Sequence, residues 1–265
     1  MTPGKQAPSR GEKAPATARV AVVTGANKGI GREIARQLAE RGHVVHLGAR
    51  HPGRGHAAER ELRAEGLDVR FLRLDVTDEN SVALAAKRVE DETGPLHVLV
   101  NNAGIGVPEQ APSQTSAEQV RRVYETNVFG VVTVTNAFLP LLRRAGSARI
   151  VNVSSAVGSL AAAAAREDPS GVFPPGTFPA MLAYGTSKAA LNAVTLAYAN
   201  ELRDTGILVN AASPGFVATD INGHNGVLSV EQGARIPVLL AILDDGPTAA
   251  FLGEDGTPGG QVLPW

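Results

Sequence analysis

The chain has 265 residues, of which 43% are hydrophobic and 19% charged, and its net charge is −1. That length suits one large α/β domain with a substantial core. The near-neutral balance argues against a dedicated nucleic-acid binder, which would carry a basic face, while leaving room for a local basic pocket for a phosphate. No cysteine is present, so disulfides, thiol nucleophiles and cysteine-ligated metals are excluded. No His/Asp/Glu cluster has a metal-ligand spacing, so no metal is expected. Residues 1–18, rich in Pro, Ala, Thr, Lys and Gly, lack the apolar segment of a signal peptide and read as a disordered tail before a single domain over 19–265. The apolar run Leu160–Ala165 is too short to span a membrane. The expectation is a soluble cytoplasmic protein with neither a membrane nor a nucleic-acid partner.

Apolar runs alternate with helical patterns along the chain. Arg19–Thr24 reads as a buried strand, and Ile30, Ile34 and Leu38 then recur at helical spacing. His43–Gly48 is a second strand, followed by a helix through about Gly55–Glu65 and a third strand at Val69–Leu74. Asp78–Glu92 is helical, with Thr77 or Asp78 as its cap. Leu96–Asn101 is a fourth strand. One long helix is expected over Ser116–Arg144, bent near Gly130 and Pro140. Arg149–Val153, the helix Met181–Arg203 and the strand Ile207–Ala212 follow. Val230–Leu243 has a helical pattern, 244–260 reads as turns, and Gly260–Leu263 as a short last strand. Strands separated by helices imply a parallel sheet covered on both faces. The irregular segments 104–115, 156–180 and 214–226 all follow carboxyl ends of strands, where open α/β sheets bind ligands.

The first strand runs into Thr24-Gly25-Ala26-Asn27-Lys28-Gly29-Ile30-Gly31. Placed between strand and helix, the glycines permit close approach of a pyrophosphate, and the helix start offers N–H groups and a positive dipole end. A tight turn with no ligand is the bland alternative. The second strand ends His46-Leu47-Gly48-Ala49-Arg50, and no Asp or Glu occurs between Arg41 and Ala58. An NAD site usually places an acid there for the ribose 2′-hydroxyl. Arg50 and Lys28 would instead flank a 2′-phosphate, which favours NADPH/NADP+; two solvated surface cations are the competing reading.

Tyr184-Gly185-Thr186-Ser187-Lys188 puts Tyr184 and Lys188 on one helix face. That pair alone is common. Ser154 and Ser155 end the fifth strand, Asn101-Asn102-Ala103-Gly104 ends the fourth, and Asn127 lies in the long helix before the fifth. Any one of these would serve as a cap or a turn; together they converge on one crevice.

In order, Thr24-Gly25-x-x-x-Gly29-Ile30-Gly31, Asp75-Val76, Asn101-Asn102-Ala103-Gly104, Asn127, Ser155, Tyr184-x-x-x-Lys188 and Pro214-Gly215 resemble the short-chain dehydrogenases/reductases over about Arg19–Thr219. The resemblance implies a Rossmann-type, doubly wound parallel sheet in the order 3-2-1-4-5-6-7 and NADP(H)-dependent carbonyl chemistry. It implies Tyr184 as the proton donor in reduction, its phenolate favoured by Lys188 and the oxidised nicotinamide. Ser155, rather than Ser154, would bind the substrate carbonyl, Lys188 would hold the nicotinamide ribose, and Asn127 would anchor a water in the proton relay. It further implies adenine contacts at Asp75 and Val76, adenine-ribose contacts at Asn102 and Ala103, and carboxamide contacts at Val217 and Thr219. Asp75 as a plain helix cap is the alternative.

Ser155 and Tyr184 lie 29 positions apart, wider than is typical of the family and similar to its NADPH-dependent carbonyl reductases. The enlarged segment favours a monomer over a homodimer. It is either an idle loop or a lid in which Phe173, Phe178, Met181 and Leu182 wall an apolar pocket. His224 reads as a plain loop histidine, and Trp265 as closing the sheet edge rather than lining the cleft. The leading expectation is NADPH-dependent reduction of a ketone, aldehyde or quinone. The alternatives are an NADP-dependent alcohol dehydrogenase running the oxidation, and a non-catalytic NADP-binding regulator.

Overall fold

A computed structural model describes residues 18–108, 110–168, 171 and 176–265. Of the expected tail only Ala18 falls among them, and Phe173 lies outside them. In chain order the elements are β1 (Val20–Val23), α1 (Gly29–Glu40), β2 (Val44–Ala49), α2 (Pro52–Ala64), β3 (Val69–Arg73), α3 (Glu79–Thr93) and β4 (Val98–Asn101). Then come α4 (Ala117–Tyr124), α5 (Gly130–Arg144), β5 (Ala148–Val153), α6 (Leu160–Ala165), α7 (Leu182–Glu201) and β6 (Ile207–Ser213). The chain finishes with α8 (Val230–Ile242), β7 (Phe251–Gly253) and β8 (Gln261–Val262).

The strands form one sheet in the order β3-β2-β1-β4-β5-β6-β7-β8, parallel throughout except for the antiparallel pair β7–β8. The period-2 alternation of each strand divides its side chains between two helix layers. Ala21, Val23, Val45, Leu47, Val98 and Val100 face α1, α2 and α8, where Ile34, Leu38, Leu62, Ile236 and Leu240 complete the packing. Val20, Val22, Leu99 and Ile150 face α3, α5 and α7, against Val82, Val89, Val134, Phe138 and Leu202. Phe138 is fully buried, and its truncation to alanine would cost about 3–5 kcal/mol.

The helix starts are set by short polar side chains. Asp78 accepts from the N–H groups of Asn80 and Ser81 to cap α3. Ser116 with Gln119, and Ser229 with Gln232, form reciprocal capping boxes for α4 and α8. Among the described residues α1, like α2 and α7, has no such side-chain cap; in α1 the first residue is Gly29, the Lys28 side chain does not cap the helix, and the first turn holds no acid.

Several sequence expectations need correction. The segment 244–260 is not all turns, because Phe251–Gly253 is the seventh strand; the short last strand expected at Gly260–Leu263 is present as Gln261–Val262, making it the eighth, and it pairs antiparallel with the seventh. The expected helix 116–144 is broken into α4 and α5 by a π-helical turn at Glu125–Phe129, so the irregularity comes just before Gly130, while Pro140 sits inside α5. Gly130 has no room for a Cβ, which would lie 2.9 Å from Val76 Cγ2. The segment 156–180 contains the helix α6, capped by Ser159. Trp265 closes the sheet edge: its ring stacks on Phe251 at 5.3 Å between centroids, and its carbonyl accepts from the N–H of Ala161 at 3.0 Å.

Candidate active site

The carboxyl ends of β1, β4, β5 and β6 bring the expected residues together. Gly25 has φ +63°, and a Cβ there would sit 2.9 Å from the Ala103 Cα, so the glycine turn and the loop after β4 touch backbone to backbone. Thr24 fastens them. Its Oγ1 accepts from the N–H groups of Asn102 (3.0 Å) and Ala103 (2.9 Å). Asn102 Nδ2 donates to the carbonyls of Thr24 (2.9 Å) and Gly25 (3.3 Å). The Asn102 side chain is thus spent on holding the two loops together.

Lys28, Gly29, Ile30 and Gly31 form the open start of α1, an arrangement suited to an anion. Arg50 follows β2 and is exposed; among the described residues it forms no ion pair. Lys28, in contrast, is paired with Asp220. Asp75 Oδ1 accepts from the N–H (3.1 Å) and hydroxyl (2.7 Å) of Thr77, an Asx turn; the α3 cap is Asp78 instead. Val76 is buried against Gly130.

The chemical corner is densely hydrogen-bonded. Ser155 follows β5, and its side chain lies beside the Tyr184 hydroxyl, close enough to oppose the rise in its pKa. The neighbouring Ser154 is engaged elsewhere, donating to Asn192 Oδ1 at 2.6 Å. Lys188 is 4% exposed, donates to the Val153 carbonyl at 2.8 Å, and lies 5.5 Å from the centre of the Tyr184 ring. Asn127 occupies the π-helical turn, a site where the backbone ladder is already interrupted. Its Oδ1 accepts from the N–H of Ile105 at 2.9 Å. Its Nδ2 donates to the Ile105 carbonyl and to Ser187 Oγ, both at 3.0 Å. Ser187 Oγ in turn donates to the Tyr184 carbonyl at 2.7 Å. Asn127 therefore ties the loop after β4 to the helix carrying Tyr184 and Lys188.

Burial dominates the titration of this corner. It pushes the Tyr184 phenol up to about 12, with the Ser155 side chain opposing the rise. It pushes Lys188 down to about 8. The expected lowering of Tyr184 by the Lys188 charge is not seen: burial sets the direction, and the only opposing cause is the contact with Ser155.

Beyond β6, Gly215 takes φ +81°. Val217 pairs with Leu228 and is buried. Thr219 opens a 3-10 turn, Asp220–Asn222. This segment lies over the glycine turn: a Cβ on Gly29 would be 3.6 Å from Thr219 Cγ2. Ile221, half exposed, lies near Tyr184: a Cβ on Gly106 would be 3.5 Å from Ile221 Cγ1 and 3.9 Å from Tyr184 Cδ2. Sequence reasoning did not single out Ile221, nor the pairing of the loop residue His224, whose Nε2 meets Asp220 Oδ1 at 2.8 Å.

Comparisons with known proteins show the family to which this fold belongs. The short chain dehydrogenase family profile matches residues 19–166 and 175–226, and its break falls in the enlarged segment between Ser155 and Tyr184. Carbonyl reductase [NADPH] 1 of Rattus norvegicus is 35% identical over 93% of this chain and 98% of its own length. The (+)-neomenthol dehydrogenase of Arabidopsis thaliana is 37% identical over 89% of this chain and 96% of its own. The NADPH-bound carbonyl reductase from chicken fatty liver superposes with a TM-score of 0.78 at 28% identity, covering 94% of this chain and 99% of the other. The chain belongs to the short-chain dehydrogenase family.

Proposed function

We propose that the protein reduces a ketone, aldehyde or quinone carbonyl to the alcohol with NADPH, with Tyr184 as the proton donor. The observation that carries this reading is the contact set around Tyr184: Ser155 on its hydroxyl, and buried Lys188 along its ring. The residues present fit the cofactor. The uncapped, acid-free start of α1 suits a pyrophosphate. Arg50 stands where an acid would otherwise bind a ribose 2′-hydroxyl, so a 2′-phosphate fits and NADPH is preferred over NADH. Gly25, Asn27, Gly29, Ile30 and Gly31 would cradle the pyrophosphate, with Lys28 and Arg50 flanking the 2′-phosphate. Asp75, Val76, Asn102, Ala103 and Gly104 would border the adenosine half, and Pro214, Gly215, Val217 and Thr219 the nicotinamide half.

The cofactor supplies the hydride. Ser155 donates a hydrogen bond to the substrate oxygen and stabilises the charge that grows there as the carbonyl carbon is reduced. Tyr184 passes its phenolic proton to that oxygen, completing the alcohol. Lys188, held by Val153, positions the nicotinamide ribose and stabilises the phenolate left on Tyr184. Asn127 keeps Ile105 and α7 in register and anchors the water that returns a proton. Tyr184, pushed up to about 12 by burial, is protonated at neutral pH and so holds the proton that reduction delivers; the reductive direction is favoured over the alcohol-dehydrogenase alternative by the preference for NADPH, whose pool is kept reduced. The complete Ser155, Tyr184, Lys188 and Asn127 set counts against a non-catalytic regulator. Ile221 and Gly106 lie beside Tyr184, an apolar flank that suits a substrate apolar around its carbonyl.

The test is a panel of apolar ketones, aldehydes and quinones assayed with NADPH and with NADH. Turnover of at least one class with NADPH, at higher kcat/KM than with NADH, is expected. NADPH binding without reduction of any member would favour the regulator.

A further inference from the structure

Lys28 and Asp220 are 192 positions apart, yet their side chains form an ion pair joining the glycine turn to the segment after β6. Three features fix Asp220 in place. Its second carboxylate oxygen takes His224 Nε2 at 2.8 Å. His224 itself has φ +63°, a left-handed conformation uncommon for a residue other than glycine, and its N–H is tied to the Thr219 carbonyl at 2.9 Å. Thr219 rests against Gly29, at 3.6 Å from a Cβ built there. A carboxylate is thus held at the start of α1, beside the position assigned above to an anionic cofactor. The two cations of the phosphate end differ accordingly: Arg50 has no ion-pair partner among the described residues, and Lys28 has one.

We propose that Asp220 is a selectivity-determining residue that opposes the binding of the cofactor's 2′-phosphate by holding Lys28. The proposal rests on the cofactor reading above. For Lys28 to meet the phosphate it must leave Asp220, and the carboxylate it leaves repels the same phosphate. Both effects weaken NADP(H) and leave a cofactor without the 2′-phosphate nearly untouched. His224 is the positioning partner that keeps Asp220 turned toward Lys28.

The experiment is calorimetric titration of NADP+ and NAD+ into the wild type, Asp220→Asn, Lys28→Ala and the double variant, with Asp220→Ser as a second removal of the charge. Asp220 is exposed, and thermal melts of each variant report its fold. The expected result is a threefold to fivefold tighter Kd for NADP+ in Asp220→Asn, about the strength of an exposed ion pair. NAD+ affinity should stay the same, and the gain should vanish in the Lys28→Ala background. An unchanged or weaker Kd for NADP+, equal tightening of both cofactors, or a gain that survives in Lys28→Ala would each overturn the proposal. A wild type that binds neither cofactor would instead sink the functional reading on which it stands.

Discussion

The two ends of the crevice are built differently. At the chemical corner every side chain is held by partners from other elements: Asn127 by Ile105 and Ser187, Lys188 by Val153, Tyr184 by Ser155. At the phosphate end the groups are exposed, the helix start is open, and the one paired cation is paired with a carboxylate that competes for it. A preorganised corner keeps its donors fixed where charge develops, which is where electrostatic catalysis gains most. A solvated phosphate end tunes affinity by modest amounts, because exposed charges are screened. Changes at the first end should therefore alter rate, and changes at the second should alter cofactor preference.

Ser155→Ala should break the chemical corner most selectively. Loss of this donor to the substrate oxygen predicts a fall in kcat of about 10²–10³, with NADPH affinity unchanged when measured by fluorescence titration. A comparable loss in NADPH affinity would mean that Ser155 serves the cofactor.

Next is the pH profile. Lys188 is pushed down to about 8 by burial, and its charged form is the one that stabilises the phenolate. That form is present below about 8 and is lost as pH rises through it. The kcat/KM for reduction should be level on the acid side of 8 and fall about tenfold for each pH unit above it. A profile level up to pH 10 would remove the lysine charge from the account.

The smallest effect belongs to the phosphate end. Arg50→Ala should raise the Kd for NADPH several-fold, up to about tenfold for a charged contact, and leave NADH binding nearly unchanged. Equal losses for both cofactors would detach Arg50 from the 2′-phosphate and blur the division between the two ends.

Much of this was legible in the sequence, because the motifs are local and each sits at a strand end. Thr24–Gly31 and Tyr184–Lys188 each place their residues within one turn or one helix face, and strand order followed from the family resemblance. What escaped depends on contacts distant in sequence or on elements too short to show a period. Phe251–Gly253 offers three residues and no alternation to read. Arg149 looks like a strand residue, yet its side chain is buried and donates to the carbonyls of Leu243 and Asp244 at the end of α8, some ninety positions away. Asn101, Asn152, Thr135 and Thr195 form a buried polar ladder across β4, β5, α5 and α7; spacing alone gives no hint of it. The π-helical turn that presents Asn127 is invisible to a 3.6-residue pattern, which runs on through it. Asp220 and His224 read as surface polar residues, and only the folded chain brings them to Lys28.

The central claim is that Tyr184 delivers the proton while the cofactor is bound by other residues. Tyr184→Phe tests it most directly, because the change removes one hydroxyl and keeps the ring packed against Lys188. With a carbonyl substrate found by the panel, turnover should be lost by at least about a thousandfold, and the Kd for NADPH should stay within about twofold of wild type. Retained turnover in Tyr184→Phe would contradict the account.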